Sequence, residues 1–189
     1  MDRQELSDKL ISNHTGFIEY INSLNEQEFM YTLQGKWTAG QQLDHILRAV
    51  KPVSLAFRLP GFIPRLLFGK PNRPGRSYGA LVEKYKDKLQ LGGRASGRFV
   101  PGPIAFRQRE KLAVQLQATV ARLSRIISAM KEEDLDLFIL PHPLLGKLTL
   151  REMLYFTIYH VEHHLEQVKL NLGHETVQKD AHLRSKVNF

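Results

Sequence analysis

Cysteine is absent from the 189-residue chain. That single absence excludes a disulfide framework, a thiolate metal ligand and a protein thiol nucleophile, and it agrees with a reducing, cytoplasmic setting. Long apolar runs are missing too: none approaches the roughly 18 residues that would suggest a membrane span. The N-terminus, MDRQELSDKL, is charged from its second residue, so neither a signal peptide nor a transmembrane segment is expected. There is no P-loop, and Gly92-Gly93 with Gly97 lies in a basic loop without the flanking strand and helix of a dinucleotide fingerprint.

Acidic residues are scarce in one stretch. Residues 51 to 111 hold 14 Lys or Arg against 3 Asp or Glu, whereas the rest of the chain carries 13 basic and 16 acidic side chains. A concentration of this kind attracts nucleic acid, an anionic surface or an acidic small molecule, and equally suits a solvated face.

What is present is helical periodicity. Asp2 followed by Glu5 has the form of a capping box, and Leu6, Leu10, Ile11, Phe17, Ile18, Ile21 and Leu24 then recur at helical spacing, which predicts a first helix over about 3–24. Thr38, with Gln41 three residues on, opens a second helix whose stripe is Leu43, Ile46, Val50, Val53 and Phe57; Pro52 predicts a kink or break. Prolines and glycines interrupt the pattern after it, apart from one apolar turn over Phe62 to Phe68 and a helix over Tyr78 to Leu91. A third long helix is expected from about 105 to 130, with Leu112, Val114, Leu116, Val120, Leu123, Ile126, Ile127 and Met130 inward. Thr149 and Glu152 open a fourth, which Gly173 is expected to close near Leu172. No convincing strand run is visible. The expected fold is therefore all-α: a four-helix bundle with a long crossover between helices two and three. It occupies a single domain over 1–173, with a basic excursion at about 58–104 and a loosely docked tail over 174–189.

Eight histidines are present. His160 and His164 are four residues apart on the fourth helix, so they share a face with Cβ atoms roughly 5 to 6 Å apart. With His160 at zero and about 100° per residue, the apolar stripe of Leu150, Leu154, Val161, Leu165, Val168 and Leu172 centres near 100° and His164 falls at about 40°. His45 occupies the same inner shoulder of helix two relative to Ile46, Val50, Val53 and Phe57. Three imidazoles on facing helices make an open divalent-metal site, suited to zinc, nickel, copper or iron(II). His163 and Gln167, with Gln41, Gln42 and Asp44, are candidates for orienting ligands. His14 reads as a satisfied core histidine between Ile11 and Ile18, with a place lining the site as the second reading. His142 and His174 flank turns, and His182 lies in the tail.

Protease and di-iron arrangements do not fit. A zincin needs Glu directly after the first His, where Val161 stands; the inverted motif needs Glu before the last His, where His163 stands. No Glu has a His three residues later, as ferritin-like di-iron helices require.

WTAGQQLDH at the start of helix two, Gly-Lys-Leu-Thr before the last helix and FTIYHVEHHLEQ within it together resemble the DinB-like superfamily. The resemblance covers most of the chain. It implies a four-helix bundle, commonly a homodimer, with a divalent transition metal, zinc or nickel first among the options, held by residues that map onto His45, His160 and His164. It further implies metal-assisted chemistry on a small molecule with a low-molecular-weight thiol, as a thiol S-transferase or a thiol-dependent isomerase or hydrolase. The long basic segment is an elaboration on that pattern. A reading from another class is a noncatalytic module whose basic segment docks on nucleic acid or an acidic surface.

Overall fold

The computed structural model describes residues 1–187, with side chains described through Gly173. Helix α1 (Arg3–Ser23) starts at Asp2, whose carboxylate accepts from the Glu5 N–H at 2.8 Å while the Glu5 carboxylate accepts from the Asp2 N–H at 2.8 Å. This reciprocal pair satisfies two otherwise orphaned donors and fixes the start of the helix. A short α2 (Glu26–Met30) follows behind a second capping box, Asn25 with Glu28, in a stretch whose polarity hides it in the sequence. Helix α3 (Ala39–Ala56) is capped by Thr38 and Gln41 as expected, and it runs through Pro52 without a break.

The crossover carries α4 (Phe62–Phe68), α5 (Tyr78–Gln90) and two single 3₁₀ turns at Gly97–Phe99 and Phe106–Gln108. Helix α6 (Arg109–Ala129) then returns along the body, followed by the short α7 (Asp134–Leu137). Within α6, Leu116, Val120, Leu123 and Ile127 are buried, but Val114 is 58% exposed. Two residues of helix carry Val114 about 200° round from Leu116, onto the outer face.

The expectation of no strands fails locally. β1 (Ile139–His142) and β2 (Gly146–Thr149) form an antiparallel hairpin, in register Ile139 with Thr149 and Leu140 with Leu148. A two-stranded ribbon this short is marginal alone, and it stands here because Ile139, Leu140, Leu148 and Thr149 are buried against the helices. Helix α8 (Leu150–Val187) follows at once. Gly173 does not end it: a mid-helix glycine costs about 1 kcal/mol relative to alanine but removes no hydrogen bond. The side chains of the expected tail, His174 and His182 among them, lie outside the described residues.

The four long helices pack in a ring, α1 on α6, α6 on α3, α3 on α8 and α8 on α1. Phe17, Leu43, Ile46, Leu116, Leu123, Leu154 and Val161 fill the space between them with no exposed surface, each contributing on the order of 1.5 to 3 kcal/mol of apolar burial. Among the described residues no helix is long and apolar enough to cross a membrane. Helices α3 and α8 are neighbours in this ring, and their polar shoulders meet at His45, His160 and His164.

Candidate metal centre

His45 projects from the second turn of α3, and His160 and His164 from successive turns of α8. All three are buried, at 5%, 5% and 7% exposure. Their Nε2 atoms converge: His45 lies 3.2 Å and His164 3.0 Å from His160. Ligand nitrogens around a tetrahedral ion at about 2.0 to 2.1 Å sit roughly 3.3 Å apart, close to these two separations, and all three ligand atoms lie within 4.8 Å of one another.

The outer nitrogens fix how the inner ones are used. Nδ1 of His45 donates to the Phe99 carbonyl at 2.7 Å, and Nδ1 of His164 donates to the Gln42 side-chain oxygen. With those protons outside, Nε2 of both rings carries a lone pair aimed at the centre. At most one proton, on His160 Nε2, remains for three inward nitrogens, whereas a cation satisfies all of them together. Burial depresses the pKa of each ring; mutual repulsion with neighbouring histidines adds to this for His160 and His164, and the Phe99 carbonyl partly offsets it for His45. The three are thus neutral and ready to ligate near pH 7.

Gln42 is buried and takes one of the outer positions. Gln41 instead caps α3, and Asp44 pairs with Arg48 at 2.6 Å. Arg48 in turn donates to the Arg98 carbonyl at 3.2 Å, which steadies the 3₁₀ turn that presents Phe99 to His45. That support from a residue 54 positions away carries no periodic signal and is invisible in the sequence. His163 sits beside the triad, its ring centroid 5.2 Å from that of His164, and lines the adjoining cavity without being a fourth member. Among the described residues no hydrogen bond joins Gln167 to the three rings. His14 belongs to the core instead, fully buried, with Nδ1 at 2.7 Å from the Leu10 carbonyl and Nε2 without a partner.

A family profile described as the DinB superfamily matches residues 10–168. The chain belongs to the DinB superfamily. The matched span runs from α1 into α8 and includes all three converging histidines. No curated protein and no solved structure matches the chain. Family membership and the buried triad together point to a metal-binding DinB protein.

The DinB site opens onto a cavity of about 580 Å³. Trp37 stands at its inner end, with ring centroids 4.9 Å from His45 and 6.3 Å from His164, and Phe156 stacks on His160 at 4.6 Å. Leu67, Phe68 and Leu89 come from the crossover, and Leu140 to Leu144 from the hairpin. His142, at the hairpin turn, accepts from the Leu144 and Leu145 N–H groups at 3.1 Å each, and burial with the nearby Lys84 charge lowers its pKa to about 4. Arg94 and Arg98 are the cations on the cavity wall.

A second buried network holds these parts together. The Glu152 carboxylate, at the start of α8, accepts from Arg73 at 2.7 and 2.8 Å, from the Arg76 and Thr149 N–H groups at 2.9 and 3.0 Å, and from the Arg76 guanidinium at 3.2 Å. Burial acts to raise its pKa, but Arg73 and the backbone donors outweigh burial and bring it down to about 2. The capping box of Thr149 and Glu152 was legible in the sequence. That the same carboxylate clamps the crossover was not.

Proposed function

We propose that this DinB protein is a divalent-transition-metal enzyme in which His45, His160 and His164 hold the ion and the adjoining cavity takes a small molecule. The observation that carries the proposal is the convergence of three Nε2 atoms, two of them left with inward lone pairs by outward hydrogen bonds from Nδ1. An imidazole-only donor set suits zinc or nickel first, with iron(II) and copper compatible. Three protein ligands leave a position for substrate.

The favoured reaction is thiol S-transfer to an electrophile, or a thiol-dependent isomerisation or hydrolysis. The bound ion supplies Lewis acidity, which lowers the pKa of a thiol or water at neutral pH. A thiol from solution supplies the sulfur, because the chain has no cysteine. In transfer, the S–H proton is released, an S–C bond forms, and the electrophile's leaving group departs with its bonding electrons. Trp37, Phe156 and Tyr85 wall the reacting region against water, and Arg94 and Arg98 attract an anionic group on either reactant. A cytoplasmic homodimer is the assembly that goes with this reading.

Protein purified without a histidine tag or added metal should contain about one first-row transition metal per chain, and His160→Ala or His164→Ala should abolish that content. Turnover of a panel of low-molecular-weight thiols with electrophiles should follow metal loading. No metal as purified and no uptake on titration would refute the reading.

A further inference from the structure

The crossover displays apolar side chains to solvent. Leu55 at the end of α3 is 62% exposed, Leu59 is 37% exposed, and on α4 Phe62, Leu66 and Leu67 are 68%, 83% and 63% exposed. Soluble surfaces seldom gather large apolar groups in this way without a use. The helix is not loose: Pro64 is buried, the Gly61 backbone lies against the Phe138 ring, and Lys147 of the hairpin donates to the Phe68 carbonyl at 2.9 Å. Its apolar side is therefore held outward on a fixed support.

Cations surround it. From residue 51 to residue 82 the chain has Lys51, Arg58, Arg65, Lys70, Arg73 and Arg76 and no acidic residue at all. Arg73 and Arg76 are committed to Glu152, but Arg58, Arg65 and Lys70 are exposed and form no ion pair among the described residues. A short apolar helix rimmed by free cations has the chemistry of a segment that seats its apolar side among acyl chains and its cations among anionic headgroups. A symmetric contact with a second copy would instead bring these like charges together with no acid nearby to pair them.

We propose that α4 and the adjoining end of α3 dock this protein on an anionic membrane surface, with Phe62 and Leu66 inserted and Arg58, Arg65 and Lys70 at the headgroups. Leu59 and Leu67 belong both to this exposed patch and to the cavity lining, so docking turns the cavity mouth toward the bilayer. On the reading of the cavity as a substrate site, the reactant that enters is an apolar or amphipathic molecule partitioned into the membrane.

The full chain should cosediment with vesicles of phosphatidylcholine containing about one-third phosphatidylglycerol, far more than with pure phosphatidylcholine, and rising salt should weaken binding. Each cation contributes roughly fivefold to such binding, so Arg58→Gln/Arg65→Gln/Lys70→Gln should lose on the order of a hundredfold. Phe62→Ser/Leu66→Ser should lose at least about tenfold at unchanged charge, while circular dichroism and metal content stay at wild-type values. Binding is read on metal-free and metal-loaded protein alike, which separates failure here from failure of the metal site. Equal binding to both vesicle types overturns the proposal. So does a Phe62→Ser/Leu66→Ser variant that keeps its vesicle affinity while changing from dimer to monomer, which would assign the patch to a second copy. Retained vesicle affinity in that variant with full competition by duplex DNA likewise overturns it, in favour of a purely electrostatic nucleic-acid surface.

Discussion

Replacing His14 by Leu should remove a pH-dependent weakness from the core. His14 is fully buried on α1, its Nε2 has no partner, and burial lowers its pKa from 6.5 to about 4 against the raising effect of the Leu10 carbonyl. The folded protein therefore binds this proton less readily than the unfolded chain does. The associated stability is complete above the unfolded value of 6.5 and is lost as the pH falls toward the folded value of about 4. At 1.36 kcal/mol per unit, the loss is about 2 kcal/mol at about pH 5 and about 3 kcal/mol at about pH 4. Leucine has similar bulk, does not titrate and leaves no orphaned nitrogen, so His14→Leu should match or exceed the wild type above neutrality. The assay is urea unfolding of both proteins at several pH values. Any pH dependence common to both proteins cancels in the difference between variant and wild type. A difference that stays constant from above about pH 7 down to about pH 5 would refute the reasoning.

Other perturbations test separate parts of the structure. Gln42→Leu removes the acceptor that holds His164 Nδ1 and should weaken metal affinity about 10- to 100-fold in competition titrations with a chelator, with the helical signal unchanged. Glu152→Gln should cost about 3 kcal/mol at neutral pH in denaturant unfolding, from a carboxylate whose pKa falls from 4.5 to about 2. Because that pKa is depressed on folding, the stability is present above 4.5 and disappears as the pH falls toward 2, so the two proteins should converge in acid. Gly40→Ala would place a Cβ 2.6 Å from the Phe29 ring and 3.1 Å from Ile104; thermal unfolding should show a loss of about 1 to 3 kcal/mol from overpacking.

The long helices were legible because each announces its start twice, once by a capping pair and once by apolar spacing. Asp2 with Glu5, Thr38 with Gln41 and Thr149 with Glu152 all form as read. The histidines were legible as a group because helical geometry puts His160 and His164 on one shoulder and His45 on the matching shoulder of another helix. Periodicity says nothing of contacts between segments distant in sequence. Phe99 meeting His45, and Arg73 and Arg76 meeting Glu152, had no local signature. The hairpin escaped because Pro141 and Pro143 read as punctuation, although Pro141 stands opposite Lys147 in a ribbon that has no third strand among the described residues. Gly173 misled in the opposite direction, since a glycine permits a helix to stop without forcing it to.

If His45 holds an ion as proposed, the 3₁₀ turn that brings Phe99 to it couples the order of the crossover to metal binding. Whatever orders residues 97–99 also fixes the tautomer of His45, and by reciprocity an ion held there would tighten the turn. Trimming the crossover to a minimal four-helix core would keep all three histidines but remove the acceptor that orients His45. In this protein the crossover is part of what holds His45 in place, through the acceptor it offers to that Nδ1 proton.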